Sequence, residues 1–362
     1  MNHSTIVFIG EAWGEAEARL QSPFVGAAGQ ELSRMLHAAG YPCSLLPYQF
    51  NSAIRMIKYW EQFPYPLLNV FNARPPENDV EFFYEKIRRV DATPEQVALS
   101  RNFNNSIFYP KLEFISHVYN LRLALETLKP NIIIALGNTA LWALGLPPSI
   151  SKLRGNVTLS KWGKVLPTYH PASVLRKWNQ RIITILDLHK ALRESKYPEI
   201  KTLNREIWTQ PTIEDLYKWW ELYGSRSELI GFDIETIYNQ QISEISFASD
   251  STHALHIPFF YKDLKQFVNW WPDSKTELAA WKFVKMVCES KVPKIGQNCI
   301  QYDTFWLLKV MGIKVNNILH DTMQMSHAWA LELEKSLGFL GSVFLDERSW
   351  KHIRTETNKQ ND

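Results

Sequence analysis

The sequence predicts an α/β protein of two domains. Three observations carry that expectation. The chain has 362 residues, against about 150 per domain. Apolar β-branched runs alternate with segments of helical period. Around residues 195–211 the stretch SKYPEIKTLNREIWTQP loses periodicity and carries two prolines, as a linker does. Composition narrows the class further. With 45% hydrophobic and 13% aromatic residues, the chain has too much apolar surface to stay disordered. Forty basic residues against 37 acidic ones leave +3, which excludes a polybasic coat for nucleic acid but permits a local basic cleft. No apolar run reaches the roughly 18 residues of a membrane span. Cys43, Cys288 and Cys299 are scattered without a CxxC pair, so a disulfide framework is unsupported and a reducing compartment fits. The N-terminus lacks a basic leader, and the chain reads as cytoplasmic.

Taken in order, TIVFI at 5–9 is a short strand that ends at Gly10, followed by a glycine-rich loop and a helix over 30–40 that stops at glycine. LLNVFN at 67–72 is a second strand, closed by Pro75 and Pro76. Residues 77–110 pattern weakly and are expected to mix a helix with long loops. A helix follows over 112–128 and is broken by Pro130. NIIIALG at 131–137 reads as a buried strand, KVLPTYHP at 164–171 as another, and 179–194 as a closing helix. This alternation predicts a three-layer domain over residues 1–196, with a linker at 197–208. The second domain, 209–362, opens with a helix containing DLYKWWELY. The strand LIGFDIET and the alternating strands QISEISFAS and HALHIPFF follow, then a helix through ELAAWKFVKMVCES, the strand KIGQN and a helix after Tyr302.

Gly10, Gly14, Gly26 and Gly29 follow the first strand, where missing Cβ atoms let backbone amides approach an anion or a flat base; they equally suit a tight strand-to-helix crossover. Phe24 can stack on a base or fill the core. Asn69 offers both a donor and an acceptor to an amide-like ring edge. His170, followed by Pro171, can donate to developing negative charge or be held by backbone. Together GEAWG, SPFVGAAG, NVFNARPP, IIIALGNTALWALG and LPTYHPASVLR resemble the uracil-DNA glycosylase superfamily over about residues 5–193, nearest its iron-sulfur-bearing branch. The resemblance implies a three-layer uracil-DNA-glycosylase-like domain. It implies that Gly10, Glu11, Ala12, Trp13 and Gly14 surround the base and the attacking water, that Phe24 stacks on uracil, and that Asn69 reads the base edge. His170 would stabilise the leaving uracil anion, with Ser173 and Arg176 beside DNA phosphate. Two departures stand out. Asn72-Ala73-Arg74 replaces the family's lysine-cysteine-arginine and the N-terminal cysteine pair is absent, so no iron-sulfur cluster is expected; Trp13 replaces a proline.

In GFDIET, Asp233 and Glu235 are two residues apart, so a strand projects both carboxylates onto one face, where a divalent metal can compensate them. Asp303 follows GQNCIQYD, and Asp321 precedes a helix it can cap. This order resembles the 3'-5' exonuclease domain of family A DNA polymerases, particularly phage-type enzymes, over about 209–350. The resemblance implies a ribonuclease-H-like α/β exonuclease domain in which Asp233, Glu235 and Asp303 hold Mg²⁺ or Mn²⁺. Asn298 would position the strand and Asp321 would support the fold. The family's third motif does not occur before Asp362, so the chain reads as cut off or split there. The expected function is a DNA repair or replication protein that removes uracil or a related base and carries a metal-dependent exonuclease-like domain; a phage role follows from the second resemblance, placing the chain in a bacterial host's cytoplasm. The alternative is a noncatalytic DNA- or partner-binding subunit completing a separately encoded DNA polymerase.

Overall fold

The computed structural model describes residues 6–42, 52–103, 106–237, 241–263 and 266–345; Cys43 lies outside them. The chain divides into two compact units. The first comprises residues up to Lys201 together with those from Gly341 on, and the second is Thr202–Leu340. No described helix is long and apolar enough to cross a membrane.

The strands of the first unit are β1 (Ile6–Ala12), β2 (Leu67–Phe71), β3 (Tyr84–Glu85), β4 (Arg101–Phe103), β5 (Ser106–Pro110), β6 (Ile132–Leu136), β7 (Thr158–Ser160) and β8 (Gly163–Thr168). The main sheet has the order β2-β1-β6-β8-β7 and is parallel except for β7. Its central strands are apolar on both faces because both are covered. Ile6, Phe8, Ile132, Ile134 and Leu166 face the helices Ala27–Ala38 and Gln180–Glu194, whereas Val7, Ile9, Val70, Ile133 and Val165 face the helix Leu112–Leu128. Each such side chain stabilises the fold by about 1.5–3 kcal/mol on burial, and the result is the three-layer α/β arrangement. The weakly patterned segment 77–110 departs from expectation. Besides two short 3₁₀ turns and the helix Pro94–Ala98, it supplies β3, β4 and β5, which form the small antiparallel sheet β3-β5-β4. Strands of two to five residues are too short to show a period, and partners distant in sequence fix them.

The second unit contains β9 (Glu206–Trp208), β10 (Ile230–Ile237), β11 (Gln241–Ala248), β12 (His253–Pro258), β13 (Phe260–Asp263), β14 (Gln266–Asn269), β15 (Lys294–Gly296) and β16 (Ile318–Asp321). The large sheet has the order β16-β15-β10-β11-β12-β9; β10, β11 and β12 form an antiparallel meander that β15 and β16 extend in parallel. That is the ribonuclease-H-like arrangement. Residues 206–208, expected to be linker, instead form the edge strand β9, pairing in parallel with β12. Three residues of ladder leave no readable period, so the prolines around them dominated the expectation.

Candidate active site

A cavity of about 810 Å³ opens at the carboxyl ends of the parallel strands of the first unit, the place where open α/β sheets bind ligands. Each strand delivers its own group. Glu11 and Ala12 end β1, Asn69 lies in β2 opposite Gly10 in register, Gly137 follows β6, and His170 follows β8. Residues more than 150 apart in sequence therefore converge because their strands are neighbours.

His170 is the N-cap of the helix Pro171–Arg176, with proline at the helix's first position. Its Nδ1 accepts a hydrogen bond from the Ala172 N–H at 3.2 Å, which in the neutral ring places the proton on Nε2. Burial pushes the imidazole below its ordinary value; the Glu11 charge pulls it back up and Arg176 adds to the depression. The ring is thus a neutral donor at neutral pH.

Phe24 is buried at a left-handed φ of 56°, a conformation held from outside. Trp60 Nε1 donates to its carbonyl at 2.7 Å, and the helix start approaches so closely that a Cβ on Gly29 would lie 1.6 Å from the same oxygen. The Phe24 ring stands 6.4 Å from His170, tilted by 30°. Gly10 makes room for the pair it separates: a Cβ there would fall 2.4 Å from Asn69 Oδ1 and 2.5 Å from Phe24 Cζ. Asn69 is itself buried. Trp13 lines the same cavity, its backbone N–H donating to Ala73 at 3.1 Å and its buried indole Nε1 finding no partner among the described residues.

Several positioning groups were not legible in the sequence. Glu17 is buried and accepts from the Gly26 N–H at 2.8 Å, tying the two glycine loops together. Glu11 accepts from the Thr139 hydroxyl, which accepts from buried Arg101 at 3.0 Å; Arg101 also donates to Tyr84 and lies over the Phe103 ring. Arg101 came from the poorly patterned segment, and Glu17 fell in the stretch expected to be loop, where the structure instead has the helix Glu15–Leu20. Ser173 and Arg176 both line the cavity; the Ser173 hydroxyl donates to Gln180 at 2.8 Å, and Arg176 is exposed.

In the second unit, the alternation of β10 puts Asp233 and Glu235 on the face opposite the core residues Phe232 and Ile234. Asp303, buried at the start of the helix Asp303–Met311, accepts from the Ile234 N–H at 2.8 Å, between those two carboxylates in sequence. Burial, and to a lesser degree the Asp233 and Asp321 charges, push the Asp303 carboxyl up to about 7. Asp321 caps the helix Thr322–Trp329 and accepts from the Asn298 and Ile300 amides, so its role is to hold backbone. Asn298 has a left-handed φ of 58° and a buried Oδ1 without a partner among the described residues. Among those residues no three His, Cys, Asp or Glu side chains are already gathered so as to hold a metal ion. The described residues do not fit an iron-sulfur cluster. Ala73 packs against the aromatic core where a thiolate would be needed, and Cys288 and Cys299 are buried in the second unit, where burial pushes both thiols up to about 12.

Residues 1–194 match the family model described as the uracil DNA glycosylase superfamily. A type-4 uracil-DNA glycosylase of Thermotoga maritima is 31% identical over 191 residues, covering 51% of this chain and 75% of that protein. Another from Archaeoglobus fulgidus is 31% identical over 180 residues, covering 47% and 66%. Among solved structures, the EXD2 exonuclease domain soaked in Mg and dGMP is similar at 17% identity with a TM-score of 0.25, covering 43% of this chain and 84% of that one, a likeness too distant to inform on chemistry. Through residues 1–194, the chain belongs to the uracil DNA glycosylase superfamily.

Proposed function

We propose that the first unit hydrolyses the N-glycosidic bond of deoxyuridine in DNA. The observation that carries this reading is the convergence of Phe24, Asn69 and a neutral, Nε2-protonated His170 on one cavity. A flipped uracil stacks on Phe24 while the Asn69 amide accepts from its N3–H and donates to O4. As the C1'–N1 bond breaks, its electron pair leaves with the base and negative charge gathers on O2, where the His170 Nε2–H donates to it. Water adds to C1', and its proton passes toward the Glu11 carboxylate or solvent. Similarity to the type-4 enzymes supports the same substrate. The test is product analysis on oligonucleotides with and without one deoxyuridine, in EDTA: an abasic product only from the former is expected, and intact DNA from both would refute the reading. Gly10→Ala should cut excision about 10²-fold, because moving either base-binding group by about 1 Å costs that much. Equal rates for this variant and the natural protein would show that Asn69 and Phe24 do not grip the base together.

A second activity is favoured by the contact of Asp303 with the strand that bears Asp233 and Glu235. We infer that the second unit is a 3'-5' exonuclease whose Asp233, Glu235 and Asp303 would hold Mg²⁺ or Mn²⁺. The cation would supply an activated water and charge neutralisation at the leaving 3'-oxygen. The Asp233 charge already acts on the Asp303 carboxyl, and a bound cation would offset that repulsion. Stepwise 3' shortening in Mn²⁺, absent in EDTA and lost in Asp303→Asn, is the expected outcome. Shortening that persists in that variant would remove the assignment.

A further inference from the structure

The open face of the second sheet carries polar groups that the three carboxylates leave unexplained. Alternation buries Ile245, Phe247, Leu255 and Ile257 in the core and leaves Glu244, Ser246 and His256 half-exposed on the face that holds Asp233 and Glu235. The register makes two rows across the strands: Asp233, Ser246 and His256, and beside it Glu235, Glu244 and Pro258. Two interstrand spacings set His256 about 10 Å from Asp233. His256 is fixed in place, its Nδ1 3.1 Å from Ser246 Oγ and its Nε2 3.4 Å from Glu244.

At the far end of these rows lies a cleft of about 530 Å³, lined by Gln210, Glu244 and His256 together with Tyr261, Phe267 and Trp270; Tyr261 opposes Val268 in the hairpin and so lies on the other face of the ribbon from Phe267. Tyr261 is 44% and Phe267 41% exposed, and Tyr261 meets Trp270 edge-on at 6.1 Å. Among the described residues the lining contains no lysine or arginine, and its one histidine already faces a carboxylate. The cleft suits a flat ring with hydrogen-bonding edges, which gains stacking from the aromatic lining and polar contacts from Gln210, Glu244 and His256.

We propose that this cleft is a stacking subsite for a nucleobase of a single-stranded nucleic acid whose backbone runs along the Asp233–Glu235 face. The proposal deepens the exonuclease reading and rests on it for the identity of the strand. The full-length protein, in EDTA so that no metal-dependent cleavage occurs, is photocrosslinked to uracil-free oligonucleotides carrying 4-thiothymidine at each of the last four positions in turn, and the labelled peptides are mapped by mass spectrometry. Labels on Tyr261, Phe267 or Trp270 from one or two internal positions are expected. Tyr261→Ala and Phe267→Ala, both at exposed rings and checked for unchanged melting, should each lower that labelling about tenfold. Labels confined to other residues, or undiminished labelling at the cleft in both variants, would overturn the subsite. Labelling at the cleft with no Mn²⁺-dependent 3' shortening would leave the subsite standing and remove the exonuclease reading; shortening with labels only elsewhere would do the reverse.

Discussion

Replacing His170 with alanine is expected to lower the single-turnover rate of uracil excision by about 10²–10³-fold while changing DNA affinity little, the loss that follows removal of one preorganised donor from a developing anion. The ring reaches that role through its position. As an N-cap its Nδ1 is committed to the Ala172 amide, so only Nε2 can carry the proton in the neutral form, and burial keeps the neutral form dominant. The same facts set the pH dependence. The folded pKa is below the ordinary 6.5, so above about 6.5 the ring is neutral in folded and unfolded chains alike, and both excision and stability are flat with respect to this group. As pH falls from 6.5 through the lower folded value, the unfolded chain binds the proton first, and the folded state loses stability relative to it. Below the folded value Nδ1 is protonated and can no longer accept from Ala172. Excision should therefore hold steady between pH 7 and 8 and fall on the acid side, and the acid limb should disappear from the residual activity of His170→Ala. A variant that keeps natural rates would assign the donor to another group.

Asp187→Ala should destabilise the first unit by about 3–5 kcal/mol, the cost of stranding a buried charge. Asp187 and Arg154 are 1% and 5% exposed. Arg154 pairs with the carboxylate through Nη2 and through Nε at 3.1 Å, and the Thr168 hydroxyl donates to it at 2.7 Å. Arg154 also donates to Ser342, and neighbouring buried Lys190 donates to the Gly155, Ser342 and Leu345 carbonyls. Thr168 ends β8, two residues before His170, so the network also anchors the strand that delivers the donor. Thermal unfolding followed together with the half-life of excision activity checks the expectation. The double substitution Arg154→Met with Asp187→Leu, which removes both charges and keeps apolar volume, should recover most of the loss. If it melts as low as Asp187→Ala, geometry rather than the stranded charge is the cause.

The main framework was legible because its signals are local. A continuous apolar run such as IIIAL, short, β-branched and bounded by Pro130 and Gly137, reads as a strand covered on both faces. The two-residue spacing of Asp233 and Glu235 obliges a strand to show both carboxylates on one side. Asp321 before a helix marks its cap, whereas the helix start at His170-Pro171 is not legible: the segment reads as strand through 171, but β8 ends at Thr168 and a helix begins at Pro171. Resemblance added roles for Phe24 and Asn69 that spacing alone left open between core packing and base contact.

Other features exist only through contacts between distant residues. The short strands β3, β4, β5 and β9 are held by their partners and have no period of their own. Arg101 and Glu17 look like ordinary surface charges until Thr139, Tyr84 and the Gly26 amide are brought to them. The aromatic cleft and its His256–Glu244 pair depend on the register of β11 with β12 and on the adjoining hairpin. The sequence by itself determined which residues alternate, cap and break, because those choices are made within a few residues by backbone geometry and side-chain polarity. The tertiary structure alone decided which buried charges have partners, which rings surround a cavity and which proton His170 carries, because each of these is set by a neighbour that the chain reaches only by folding.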